Sequence, residues 1–328
     1  MSWLKDLYAA GVTPASFQPD ASAGRTTEPD DAPRAEVTLV EGGDLDVHPV
    51  TRGRGPAAVC FLDGIQHWSV VGYDGVLPIA RAYVAAAVRR RTAAQRELVT
   101  LDWEARDLVV APVGAMRPEP RRAVETVPDL VPLPEDSIGT PAVMLEALRR
   151  EVHRARLALE RTLGERTLER LGNREWLVVD GQLAVSARLA RHPRALGVIK
   201  SHGAQFLEGR RLERALTVPA EHRTSVFRVH GGHGRTEVDS WYLRLWPWAG
   251  NDLLYGLIRI EARAHDDTVA SAAETSAWVL GERSPLAAPD ARWDRLLYPI
   301  HLVEEYLRAR MPGDFRAAPV TRLPRTGT

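Results

Sequence analysis

Two apolar runs in this chain end in the same dipeptide. Ala57 to Leu62 leads into Asp63-Gly64, and Trp176 to Val179 leads into Asp180-Gly181. A short, continuously apolar run that stops at a turn signal reads as a buried strand. Two such strands would hold two carboxylates at one edge of a single sheet. A carboxylate at the lip of a hydrophobic strand is costly to desolvate unless it is paired or binds a cation. Hard divalent cations take oxygen ligands, and Mg²⁺ commonly uses one or two carboxylates plus substrate phosphates. The pattern therefore points to a metal-dependent phosphodiester site on Asp63 and Asp180. Turn chemistry is the competing account, because Asp-Gly is a common turn and accounts for either copy alone. Both readings stay open on these residues.

The rest of the composition narrows the class. The chain has 328 residues, 45% hydrophobic and 26% charged, enough for a sizeable core. Its 43 basic and 43 acidic residues cancel, so a nucleic-acid groove would have to come from local clustering. Arg89-Arg90-Arg91 and Arg149-Arg150 are candidate lining for such a path, against the plain reading of solvated faces. The single cysteine, Cys60, lies inside the first apolar run and excludes an internal disulfide or a cysteine-based zinc site. No apolar run reaches the ~18 residues that span a bilayer, and no signal-like leader opens the chain. A cytoplasmic protein without a membrane partner is expected.

Residues 1–35 read as a short helix, with Trp3, Leu4, Leu7 and Tyr8 at helical spacing, followed by a flexible linker over 12–35. The helix is a candidate docking element for a partner. Residues 36–328 read as the main domain. Strands are expected over Val37–Val40, Asp46–Thr51, His67–Tyr73 and Leu77–Arg90, the last two joined by an Asp74-Gly75 hairpin turn. Leu98–Trp103 and Leu108–Pro112 make a further pair, and residues 113–139 look irregular. Thr140-Pro141 opens a helix whose stripe is Leu145, Leu148, Val152, Leu159 and Leu163, with Gly164 bending or ending it. After Asp180, a helix over Leu183–Ala190, strands near Leu196–Lys200, Ser225–His230, Ser240–Trp246 and Leu254–Arg263, and helices over 266–280 and 290–310 complete the chain. Strand, hairpin and further strand is the order that opens an RNase H-like sheet, so the expected class is α/β, a mixed sheet core flanked by helices.

No Walker A pattern is present, so any translocation energy must come from another protein. A haloacid-dehalogenase site is excluded, because Ile65 stands where its second Asp belongs. His230-Gly-Gly-His233 reads better as a glycine-rich hairpin tip than as a zinc site, having no cysteine or helical His pair beside it.

The ordered set Leu62-Asp63-Gly64, a long Arg/Glu helix, Val179-Asp180-Gly181-Gln182-Leu183, Gly197-Val198-Ile199-Lys200-Ser201 and Leu297-Tyr298-Pro299 resembles the NurA nucleases of archaea and bacteria, over about residues 57–310. The resemblance implies an RNase H-like core, a homodimer, and a divalent-metal deoxyribonuclease using Mn²⁺ or Mg²⁺, with two ions. It also implies action on DNA ends together with a hexameric HerA-type ATPase. By the same resemblance the metal ligands are Asp63, Asp180 and a helix Glu between them. A helix running back along the Asp180 strand places that Glu ~20 residues before Asp180. Glu160 fits; Glu151, nine residues earlier and on the opposite flank, is the alternative. Lys200 and Tyr298 correspond to phosphate-contacting positions. The family's helix His falls on Tyr306, a departure that puts its role in doubt, with His301 as a substitute. The rival expectation is a DNA-binding adaptor of the same fold without chemistry.

Overall fold

The computed structural model describes residues 2–17, 36–51, 53, 55–92, 97–200, 206–232, 234–285 and 293–316. It opens with α1 (Ser2–Ala9), β1 (Thr13–Phe17), β2 (Val37–Leu39) and β3 (Val47–Pro49). Three long strands follow, β4 (Ala58–Asp74), β5 (Leu77–Thr92) and β6 (Val99–Ala111). Next come α2 (Pro118–Glu125), β7 (Leu130–Pro132), α3 (Pro141–Leu168), β8 (Glu175–Asp180), α4 (Ala187–Arg191) and β9 (Ala195–Ile199). The remainder is α5 (Gly209–Leu216), β10 (His222–Thr224), β11 (Phe227–Val229), β12 (Val238–Arg244), β13 (Leu257–Arg263), α6 (Asp266–Gly281), α7 (Tyr298–Arg310) and α8 (Gly313–Arg316).

All of the strands join one mixed sheet. β4, β5 and β6 form an antiparallel meander, β8 lies parallel to β4 on its other side, and β9 lies parallel to β8. The central order β6-β5-β4-β8-β9, with α3 as the crossover into β8, is the RNase H-like arrangement. Antiparallel β13, β12, β11 and β2 extend it beyond β9. Helices cover both faces. α3 lays Met144, Leu148, Val152, Leu159 and Leu163 on the face that carries Cys60, Leu62, Leu177 and Val179. α6 and α7 cover the face that carries Val59, Phe61, Val178 and Val198. The alanines of β5 let helices approach closely from both sides: Ala82 and Ala86 turn to the α3 face, Ala85 and Ala87 to the other. The sheet-and-helix class, the Asp74-Gly75 turn (Gly75 φ +62°) and the α3 stripe match expectation.

Several expectations need correcting. Asp63-Gly64 is no turn. β4 is one strand of 17 residues, and β5 pairs with it straight through Asp63↔Ala87 and Gly64↔Ala86. Gly181, in contrast, sits at φ +143°, so Asp180-Gly181 is a true strand end. Gly164 does not stop α3, which runs on to Leu168. It brings the helix onto the sheet, since a Cβ there would stand 3.0 Å from Leu62. Residues 113–139 contain α2 and β7, and in the 290–310 region helix α7 begins only at Tyr298. α1 is not a tethered, exposed element. Leu7 is fully buried, the Tyr8 hydroxyl donates to the Val71 carbonyl at 2.9 Å, and β1 pairs with the far end of β4. The remainder of the expected linker, 18–35, lies outside the described residues.

Candidate active site

β8 stops where β4 continues. Their parallel register runs from Ala58↔Glu175 to Leu62↔Val179. Asp63 and Asp180 are the next residues on each strand, so they stand side by side on neighbouring strands, ~4.8 Å apart in the pairing direction. By strand alternation Asp63 shares its face with Phe61 and Ile65, and Asp180 shares its face with Val178. Both belong to the α7 side of the sheet.

Glu160 comes from the other side. It is buried on α3 and presses its carboxylate against Gly64, where any Cβ would collide with it. Gly64 is thus an opening in an otherwise sealed strand. The β4–β8 pairing ends at Leu62↔Val179, and the Glu160 charge acts on Asp63 while that of Asp180 acts on Glu160. Glu151 does not approach; it pairs with Arg154. The nine-residue spacing separates the two acids by half a turn, and the tertiary packing selects Glu160 for the cluster.

Two cations sit among these acids. Lys200 follows β9 and places Nζ 2.7 Å from Asp180 Oδ2. Arg156, one turn before Glu160, pairs with it through Nη1, donates from Nε to Gln66 Oε1 at 3.1 Å, and donates from Nη2 to His153 Nδ1 at 3.2 Å. Sequence reasoning missed Arg156, although its place four residues before Glu160 puts both on one helix face. It also missed Glu304 of α7, whose charge acts on both Asp63 and Lys200. Lys200 carried a stronger signal than its position. It is one of two lysines in a chain whose other basic residues are all arginine.

The electrostatics follow from burial and like charge. Burial pushes the Asp63 carboxyl well above the usual range; Asp180 adds to the rise, Lys200 opposes it, and Glu160 and Glu304 add more. Burial raises Glu160 as well, against the pull of Arg156 and with a further push from Asp180. Burial works to lower Lys200, but Asp180 and Asp63 outweigh it and hold its ammonium charged above the ordinary value. By formal count Asp63, Asp180 and Glu160 are three acids beside two cations, Lys200 and Arg156.

The other expected residues lie farther out. Tyr298 is 43% exposed at the first turn of α7, 6.4 Å from the His301 ring between centroids, and no hydrogen bond joins it to the acids. Tyr306 is a packing residue, its ring stacked under Arg89 and Arg310. Arg89 donates to the Leu98 and Leu302 carbonyls, Arg90 pairs with Glu175, Arg91 with Glu282, and Arg149 with Glu146. These arginines are engaged within the fold, which the run of charges alone did not reveal. His230 uses both ring nitrogens, on Glu237 and Thr38, while His233 lies outside the described residues.

Among the described residues, no three His, Cys, Asp or Glu side chains converge tightly enough to hold one ion as they stand. The adjacent Asp63–Asp180 pair nevertheless suits a Mg²⁺-type cation, which takes one or two carboxylates and fills its shell with water and substrate oxygen. The buried, under-neutralised carboxyls are the chemistry a hard dication would relieve.

No family model matches the chain, and no curated protein matches it. Among solved structures, the NurA nuclease from Sulfolobus solfataricus is similar at 11% identity, with 80% of this chain and 81% of that chain covered and a TM-score of 0.45. The catalytic domain of human endonuclease V is similar at 17% identity, with 80% of this chain and 91% of that chain covered and a TM-score of 0.31. Among the described residues no helix is long and apolar enough to cross a membrane.

Proposed function

We propose that this protein is a divalent-metal-dependent deoxyribonuclease, hydrolysing phosphodiester bonds at the edge between β4 and β8. The observation that carries the reading is the side-by-side placement of Asp63 and Asp180 with Glu160 admitted through Gly64. Asp63, Asp180 and, on rearrangement, Glu160 would hold Mn²⁺ or Mg²⁺, with two ions as the working number. The bound ions would polarise the phosphate and supply a nucleophilic water at neutral pH. Lys200 steadies Asp180 and offers a point charge to a phosphate oxygen. Tyr298, exposed on the same face, is available to donate to the nucleic-acid backbone.

The resemblance of the ordered motifs, and the lack of any nucleotide-binding pattern, support action on DNA ends in the cytoplasm, as a homodimer beside a hexameric HerA-type ATPase. Helix α1 packs Leu7 on its own body, so surfaces other than its apolar face would carry the docking of a partner. A second reading, a DNA-binding subunit without chemistry, draws on Tyr306, which packs on Arg89 and Arg310 where the resembled family has its His.

The test is Mn²⁺-dependent cleavage of single- and double-stranded DNA oligonucleotides, with matched RNA beside them, by the wild type and Asp63→Asn. Cleavage by the wild type alone supports a nuclease. No cleavage by either, with DNA retained, favours the second reading. Equal cleavage by both removes Asp63 from the site.

A further inference from the structure

Glu160 already has a cation for a partner. The Arg156 guanidinium is buried beside Glu160, anchored on its three nitrogens by Glu160, Gln66 and His153. Asp63 and Asp180 both act on its charge, so it lies within electrostatic reach of every carboxylate in the cluster. Gln66 has the strand parity of Gly64, so the arginine is held on the α3 side of the opening in β4. These contacts tie it to both walls, α3 and β4. Among the described residues, the three carboxylates do not form a ready-made ligand set.

We propose that Arg156 is a resident counter-cation that a divalent metal must displace from Glu160, making it a positioning residue that sets the metal requirement. This rests on the reading of the cluster as a dication site. Without metal, the guanidinium is the ion-pair partner of Glu160. A dication attracts the same carboxylates with twice the charge, but gains Glu160 only when the Arg156 contact is given up. Arg156 therefore opposes metal binding twice, by occupying a ligand and by like-charge repulsion. An arginine that served only to brace α3 would do neither.

The experiment is Mn²⁺ binding without substrate, followed by calorimetry and by the Mn²⁺ spin-resonance signal, with thermal unfolding of each variant. Arg156→Gln removes the charge and should tighten Mn²⁺ by about tenfold or more. Arg156→Lys keeps a point charge and should stay near the wild type. Gln66→Leu releases Nε without removing charge and should tighten Mn²⁺ by about threefold, the scale of one hydrogen bond; it carries the test if Arg156→Gln does not fold. Unchanged or weaker Mn²⁺ binding in the folded variants, beside clear binding by the wild type, overturns the displacement model alone. Absence of binding in the wild type and all variants overturns the dication reading, and this inference falls with it.

Discussion

Replacing Gly64 with alanine tests the site geometry without assuming any activity. The new Cβ would collide with the Glu160 carboxylate and stand 3.0 Å from the Ala85 carbonyl oxygen. The carbonyl belongs to the β4–β5 ladder and cannot retreat, so Glu160 must give way. Crowding of this kind costs about 1–3 kcal/mol. Pulling Glu160 from Arg156 weakens a charged hydrogen bond, which costs about 1.5 kcal/mol more. Alanine recovers about 0.5–1 kcal/mol over glycine inside a strand. The net loss is about 2–3 kcal/mol, or a fall in Tm of about 3–4 °C for a chain of this size. Chemical denaturation of the wild type, Gly64→Ala, Glu160→Ala and the double variant, without divalent metal, isolates the contact. With Glu160 truncated, Gly64→Ala should be close to neutral, giving a coupling of about 2–3 kcal/mol. An equal cost in both backgrounds, with a coupling under about 0.5 kcal/mol, would show that Glu160 does not reach Gly64 and would refute the site as described.

Asp63→Asn should stabilise the metal-free protein at neutral pH. The folded-state pKa of Asp63 lies above its unfolded value, so its stabilising contribution is full below the unfolded pKa and is lost as pH rises towards the folded one. The gain from Asn should grow from pH 4 to pH 7, read as Tm against pH; a gain that is constant with pH would contradict the raised pKa. Lys200 is raised instead by gaining acidic partners, so its stabilisation is intact below its unfolded pKa and throughout the neutral range. Lys200→Met should therefore destabilise by about 1–2 kcal/mol at pH 7, measured by denaturant titration, because Asp180 is left half-buried without its cation. In cleavage assays Glu160→Gln should be inactive and Glu151→Gln active; the reverse would reassign the helix acid. Deleting residues 1–11 should lower Tm, since burial of Leu7 alone is worth about 2 kcal/mol, and an unchanged Tm would show that α1 does not dock.

Much of this arrangement was legible in the order of residues. The apolar runs before Asp63 and Asp180, the hairpin at Asp74-Gly75 and the stripe of α3 follow from side-chain periodicity, which is local. Glu160 was reachable by counting back from Asp180, because the lengths of a helix and of the strand beside it are fixed by their rise per residue. What the order of residues left undecided depends on partners distant in the chain. The same dipeptide ends a strand at Asp180-Gly181 and is strand interior at Asp63-Gly64, because β5 supplies backbone partners straight through the second while the chain leaves the sheet at Gly181 with φ +143°. Arg156 and Arg90 are both arginines in charged surroundings. Only packing of α3 over the opening at Gly64 places the first among the acids, while Arg90 is held by Glu175. Glu304 enters because α7 crosses back over β4, a distance in sequence that no local pattern encodes. Periodicity and propensity act between residues a few positions apart. A charged site is decided by which distant backbones end, continue or leave a gap beside one another.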